Sequence, residues 1–355
     1  VYLHAWQVTG EPLFRAIVEE TLDYVLREMR SEDGGFYATQ SAESEGEEGR
    51  FFVWSRDEIE DLLGDEAGRF VEAYGVNPGG NWEGKTILTL EGTWEERQAL
   101  ESARERLFAA RERRIKPERD DKEITSWNGL MLAALAEAGR ALGRADYVQA
   151  AERNAEFLLE ELRTDEGHLL HTWKDGEAKV RGYLDDYANL VDGLLALYEA
   201  TFEPQWLRAA AELTEHVLAH FRAQEGGFYD TSDAHEELIA RPRSVQDNAV
   251  PSGNAKTAFN LLRLSQLAVE PEHEEEARAS LRQVQAMMGR YPLGFGQWLT
   301  ALEYALAETR EIAILGAKDS QEVQALLEVC RDGFRPHQII AVGEPMDAEA
   351  DAVPL

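Results

Sequence analysis

Apolar residues return every three or four positions through most of the chain, and this spacing constrains the fold more than any other feature. The cleanest stripe is Leu184, Tyr187, Ala188, Val191, Leu194, Leu195 and Tyr198, which lines one face of a single helix. Similar stripes cover 13–29, 130–142, 147–162, 207–221, 258–264 and 298–306, with a Glu/Arg-rich helix over 274–289. Most come in pairs parted by a short turn bearing Gly or Pro, such as the break at Glu203-Pro204. A helix with one apolar face cannot bury it alone, whereas stacked helix pairs share a continuous core. The expected fold is therefore all-α, an (α/α) toroid of helical hairpins.

A weak repeat supports hairpins with elaborated loops. "DGGFYATQSAE" at 33–43 echoes "EGGFYDTSDAH" at 225–235, and "DEGHLLHTW" at 165–173 holds the same place after a third hairpin. In each, a Gly turn leads into a short β-prone piece. The intervals are unequal, so a ring with long loops on one face fits better than a regular solenoid. Residues 34–92 interrupt the helical pattern. Here "GGFYATQ" and "RFFVW" read as a hairpin around the acidic loop "SAESEGEEG", and Ser55/Glu58 and Thr93/Glu96 read as capping boxes for short helices. Past Glu308 the texture becomes strand–helix–strand without a Gly-rich phosphate loop, and "GEPMDAEADAVPL" reads as a loose terminus. The organisation expected is a toroid over 1–308 with a loop and β insertion at 34–92, and an α/β tail over 309–355. "VYLHAWQVTG" begins within a helical pattern that stops at Thr9-Gly10, so the toroid is expected to lack its first helices.

Charge narrows the partners. Asp+Glu number 68 against 36 Lys+Arg, a formal charge of −32. Such a surface repels phosphate backbones and anionic headgroups, which argues against nucleic acid and membrane partners. No run reaches the ~20 apolar residues of a membrane span and no signal peptide is evident, so a soluble, cytoplasmic protein is expected. The lone Cys330 cannot form an intrachain disulfide or a CxxC pair. It lies in an apolar helical run and reads as a buried, inert thiol.

Four stretches carry side chains suited to chemistry. In "DDKEITSWNG" (120–129), Ser126 reads as the cap of a helix starting near Trp127. The same stretch offers Asp121 as a proton-transfer group, Trp127 as a flat stacking surface for sugar C–H faces, and Asn128 as a reader of hydroxyls. In "GYLDDYANL" (182–190), Asp185 and Asp186 point about 100° apart on a helix. One would cap while the other faces the mouth; Asp186 is taken as catalytic and Tyr187 as ligand-binding. Asp-Asp-x-x-Asn resembles half of a magnesium–diphosphate site, but no second acidic motif completes it. In "RPRSVQDNAVPSGN" (241–254), Asp247 precedes a helix start carrying Ser252 and Asn254, with Arg241 close by to hold an anion. In "GNWEGKTIL" (80–88), Trp82 and Glu83 sit between glycines in a loop. Helix capping and solvated loops account for each stretch singly. His216 and His220 are spaced i,i+4 without an evident third ligand, so no metal and no cofactor is assigned. No pair of histidines is evident at a mouth, which favours hydrolysis over epimerisation.

The segments "GGFY…SEGEEGRFFVW", "GNWEGKTIL", "DDKEITSWNGLM", "YLDDYANLVDGLLALYEATF" and "PSGN" occur in that order. As a set they resemble the thioredoxin-domain-containing family related to spermatogenesis-associated protein 20. The resemblance implies a thioredoxin-like domain followed by a toroid similar to six-hairpin glycosidases and N-acylglucosamine 2-epimerases. The thioredoxin-like part and its cysteines lie outside this chain. In that family Asp is more usual at Glu43 and its neighbours, so no direct role is expected of Glu43. The expected function is a carbohydrate-active enzyme, a glycoside hydrolase or relative, using mouth-facing Asp121, Asp186 and Asp247 on a carbohydrate-like ligand. The alternative is a non-catalytic toroid that binds sugar or protein and docks the thioredoxin-like domain.

Overall fold

The computed structural model describes residues 1–343 apart from 237 and 269. Two helices come first, α1 (Tyr2–Thr9) and α2 (Pro12–Glu28), packed on each other. Gly10 ends α1 in a left-handed conformation at φ 71°, which glycine adopts without strain. Pro12 opens α2 where a missing N–H costs nothing.

Residues 38–121 form a compact unit of their own. In chain order it holds β1 (Tyr37–Gln40, whose first residue precedes the unit), β2 (Glu43–Ser44), β3 (Glu47–Glu48), α3 (Arg56–Leu63), α4 (Ala67–Ala73), α5 (Trp94–Ala99) and α6 (Glu101–Arg111). Trp54, Ile59, Phe70, Leu100 and Leu107 are among its core residues. The hairpin lies elsewhere than expected. Within "RFFVW" residues 50–52 turn and Trp54 bridges to Thr86, while the hairpin pairing occurs inside the acidic loop, Glu43 opposite Glu48 and Ser44 opposite Glu47. The reason is Arg114. Its Nη1 takes the carbonyls of Phe51 and Val53 at 2.8 Å each, and its guanidinium lies 4.0 Å over the Trp54 ring. Arg50 reaches Glu45 and Glu47 and offsets repulsion within the loop. Thr93/Glu96 form the full capping box. Ser55 caps α3, but Glu58 turns to Arg114.

The other unit comprises residues 1–37 and those from 122 onward. Following the strand β4 (Arg119–Ile124), which ends in this unit, come α7 (Thr125–Leu142), α8 (Ala145–Glu161), β5 (Leu170–Lys174), β6 (Glu177–Arg181), α9 (Leu184–Thr201), α10 (Pro204–His220), α11 (Gly253–Leu267), α12 (Pro271–Arg290) and α13 (Gly296–Leu306). The inner helices α7, α9, α11 and α13 touch in sequence, and α8, α10 and α12 back α7, α9 and α11 from outside. This is the helical-hairpin (α/α) architecture the stripes predict. Every residue of α9 from Asp186 to Tyr198 is buried. Glycine makes the α7–α9 crossing possible: a Cβ on Gly129 would lie 2.5 Å from the Asn189 backbone.

Polar residues also tie the inner helices together. Asp192 on α9 accepts from Lys256 Nζ at 2.8 Å and Arg263 Nη1 at 3.0 Å, both on α11. Glu199 accepts from Arg263 at 2.9 Å and from Arg140 of α7 at 2.6 Å. Burial pushes the Asp192 and Glu199 carboxyls up, and the neighbouring cations outweigh it, so both stay below the usual carboxylate range.

The strand–helix–strand segment is β7 (Arg310–Leu315), α14 (Gln321–Arg331) and β8 (Gln338–Gly343), with the strands parallel from Arg310 opposite Gln338 onward. Arg331 of α14 holds the Glu199 and Ala200 carbonyls near the end of α9. Cys330 beside it is half-buried against the core. The expected loose terminus, 343–355, lies outside the described residues beyond Gly343. Among the described residues, no helix is long and apolar enough to cross a membrane.

Candidate functional site at the inner helix starts

Three equivalent clamps explain the internal repeat. The Phe36 N–H donates to Asn128 Oδ1 (2.7 Å), Leu169 N–H to the Tyr187 hydroxyl (2.8 Å), and Phe228 N–H to Asn254 Oδ1 (2.8 Å). In each case the turn after an outer helix is pinned by a side chain from the first turn of an inner helix, which satisfies a buried donor. The starts of α7, α9 and α11 share one end of this unit. Ser126 N–H donates to Asp186 Oδ1 at 2.9 Å, and a Cβ on Gly253 would lie 3.0 Å from the Asp185 nitrogen.

Most of the anticipated site residues at this end have structural bonds. Asn128 is buried; besides Phe36, its amide donates to the Ile124 carbonyl, and Asn154 donates to it. Tyr187 stacks on His216 with centroids 5.1 Å apart. Asn254 also donates to the Ser244 carbonyl. Ser252 caps α11, accepting from Ala255 N–H and donating to Ser244. Arg241 lies 4.2 Å over Tyr229 and donates to the His220 and Thr231 carbonyls. Asp247 spans two helix starts, accepting from Ser252 N–H (2.9 Å) and Gln297 N–H (2.8 Å). Asp186 is fully buried and accepts from Ser126, from Tyr183 N–H (2.8 Å) and from His171. The α7 cap is thus not Ser126, whose own N–H is taken by Asp186 while the helix begins at Thr125.

Trp82, Glu83 and Asp121 belong to the 38–121 unit. Trp82 is 38% exposed, in a tight turn where Glu83 has φ 48°. Asp121 pairs with Arg119 at 2.6 Å.

Three groups at the α7 and α9 starts remain available. Trp127, one residue past Ser126, is 43% exposed. Asp185 is partly buried, and its carboxyl makes no hydrogen bond to another side chain among the described residues. Burial pushes it up to about 6, the Asp186 charge adds to this, and His171 opposes it. His171 projects from β5 and turns Nδ1 to Asp186 at 2.8 Å, leaving Nε2 free of any bond among the described residues. The bond to Asp186 raises its basicity against the opposing effect of burial. Tyr183 separates two imidazoles, with ring centroids 5.1 Å from His171 and 5.5 Å from His235. Ser232 N–H donates to His235 Nδ1 at 3.1 Å, which places the His235 proton on Nε2.

Two histidines therefore flank Tyr183 at this end, where the sequence shows no pair, although His235 Nε2 is itself 3.3 Å from the Arg181 carbonyl. Neither follows from helical spacing, since His171 comes from a strand and His235 from a loop. Both lie within the repeated segments, and that was the usable signal. The His216/His220 pair also has a third neighbour: His168 lies 4.7 Å from His216 between centroids. Burial first, and then His220 and His168, push His216 down to about 4.

No protein-family model matches the chain. Over 97% of its length it aligns with spermatogenesis-associated protein 20 of Rattus norvegicus at 30% identity, and with that of Homo sapiens at 29%. The chain is a homologue of spermatogenesis-associated protein 20. It spans about half the length of these curated relatives, 50% in each case. Among solved structures it is similar to the unsaturated glucuronyl hydrolase of Bacillus sp. GL1, at 15% identity and a TM-score of 0.47, over 80% of this chain and 59% of that one.

Proposed function

We propose that this end of the toroid carries out acid–base chemistry on a carbohydrate-like ligand, with Asp185 as proton donor and His171 as base. The observation that carries the proposal is the Asp185 carboxyl. It is partly buried, bonded to no other side chain among the described residues, and pushed up to about 6, so near neutrality it exists in both forms. His171 has its Nδ1 fixed by Asp186, which orients Nε2 as an acceptor, the arrangement of a carboxylate–imidazole pair. Asp186 thus acts as a positioning residue, with Ser126 and Tyr183 holding it in place. Trp127 supplies the exposed indole face against which a sugar ring can stack. In a hydrolysis, Asp185 would protonate the leaving glycosidic oxygen while His171 Nε2 takes a proton from the attacking water. Asp247, with both oxygens on helix N–H groups, serves as a scaffold in this reading.

A second reading has one observation in its favour. His171 and His235 flank Tyr183, and paired imidazoles suit abstraction and return of a proton at a sugar carbon. The two reactions leave different traces. Incubation with mixed oligosaccharides in deuterated water should yield new reducing ends if bonds are cleaved, or carbon-bound deuterium if a proton is exchanged. Asp185→Asn should abolish the first signal, and His171→Gln should abolish either. No product, no deuterium and no sugar binding would refute the proposal and favour a toroid that binds protein, including a thioredoxin-like domain.

A further inference from the structure

We infer a divalent-metal site between α10 and α12, independent of the acid–base site, made by Glu215, Glu270 and His273. His273 lies in the first turn of α12 and is 4% exposed. Its Nε2 is 3.1 Å from Glu215 Oε1 on α10 and 3.2 Å from Glu270 Oε2 just before α12. Their ligand atoms all lie within 4.8 Å of one another. Two carboxylate oxygens therefore converge on one ring nitrogen, which offers at most one N–H. A cation placed among them would satisfy all three atoms and remove the repulsion between the carboxylates.

The spacing also fits a particular class of ion. Tetrahedral zinc with ligand bonds of ~2.0–2.1 Å keeps neighbouring ligand atoms ~3.3 Å apart, and the two nitrogen–oxygen distances are already close to that. One imidazole and two carboxylates suit zinc better than magnesium or calcium, which prefer all-oxygen shells. Both glutamates are largely exposed, so they can shift by a fraction of an ångström on their own rotamers. The group opens on a cavity of about 480 Å³ that Glu272 and Arg222 also line. This leaves room for water, or the Glu272 carboxylate, as a fourth ligand. Metal at Nε2 puts the His273 proton on Nδ1, which has no hydrogen-bond partner among the described residues. That cost weakens the site, so binding in the micromolar rather than the nanomolar range is expected.

The test is calorimetry on the full chain after chelator treatment, titrating zinc chloride and then magnesium chloride. One equivalent of zinc should bind, magnesium should not, and cobalt should give the visible absorption of a tetrahedral ion. Glu215→Gln and Glu270→Gln should each weaken zinc binding at least tenfold while leaving the metal-free melting temperature nearly unchanged. Absence of zinc binding would overturn the inference. So would binding that survives both substitutions, whether it is lost in His216→Asn, and thus belongs to the His168/His216/His220 group, or is lost in neither and is adventitious.

Discussion

His171 Nδ1 lies 2.8 Å from Asp186 Oδ2, and that carboxylate is wholly buried. The pair joins β5 to the start of α9. Because Asp186 also holds Ser126 N–H, the same side chain fixes the start of α7. The bond raises the His171 pKa. A folded-state value above the unfolded one gives stability that is fully present below ~6.5 and lost as pH rises through the folded value. His171→Gln should therefore lower the melting temperature more at about pH 5 than at about pH 9. Equal losses at both would show that the pair contributes no charge-dependent stability.

Asp185 should behave oppositely to a salt-bridged carboxylate. Its folded value, about 6, lies above the ordinary 3.8. The folded state thus holds the proton more tightly, and the group costs stability as pH rises through that window. Asp185→Asn should stabilise the protein by on the order of 1–2 kcal/mol at about pH 8 and by little at about pH 4. Thermal melts across pH test this, and destabilisation at alkaline pH would contradict the assignment. A stabilising change that also abolishes turnover would mark a site held at the expense of stability.

Asp247 bridges the first turns of α11 and α13 through two backbone N–H groups. Asp247→Ala leaves both unpaired, so a loss of about 2–3 kcal/mol is expected. The urea midpoint should fall with the slope unchanged. A midpoint within error of wild type would show that the two caps carry no net stability.

The buried ionic row predicts a larger effect. Glu199→Gln leaves Arg140 without its carboxylate and Arg263 with Asp192 alone, and about 3–5 kcal/mol should be lost. Asp192 and Glu199 are held below the usual carboxylate range. Stability from the row is therefore present above ~4 and should fall away as pH drops below that. An acid-unfolding profile shows the step, and Glu199→Gln should reduce it.

The toroid was legible because its helices bury apolar stripes, and a stripe is a property of neighbouring residues. The stripe from Leu184 to Tyr198 predicts α9, which starts at Leu184 and runs three residues further, to Thr201. The Gly-bearing turns at 33–43, 165–173 and 225–235 likewise predict three equivalent places, each of which is clamped by an inner-helix side chain. The hairpin near Phe51 was misread because Arg114, more than sixty residues later in the chain, takes the carbonyls a strand would use.

The sequence by itself determined the helices, their pairing and the supply of acidic, indole and imidazole groups near helix starts, since local periodicity and turn chemistry act over a few residues. Only the tertiary structure decided which of those groups stay chemically available. Asp186 and Asp185 are adjacent in the chain and equal in type, yet one is wholly buried among three donors and the other has none from another side chain among the described residues. That difference arises from contacts with β5 and α7, and no local pattern encodes which carboxylate a distant N–H will reach.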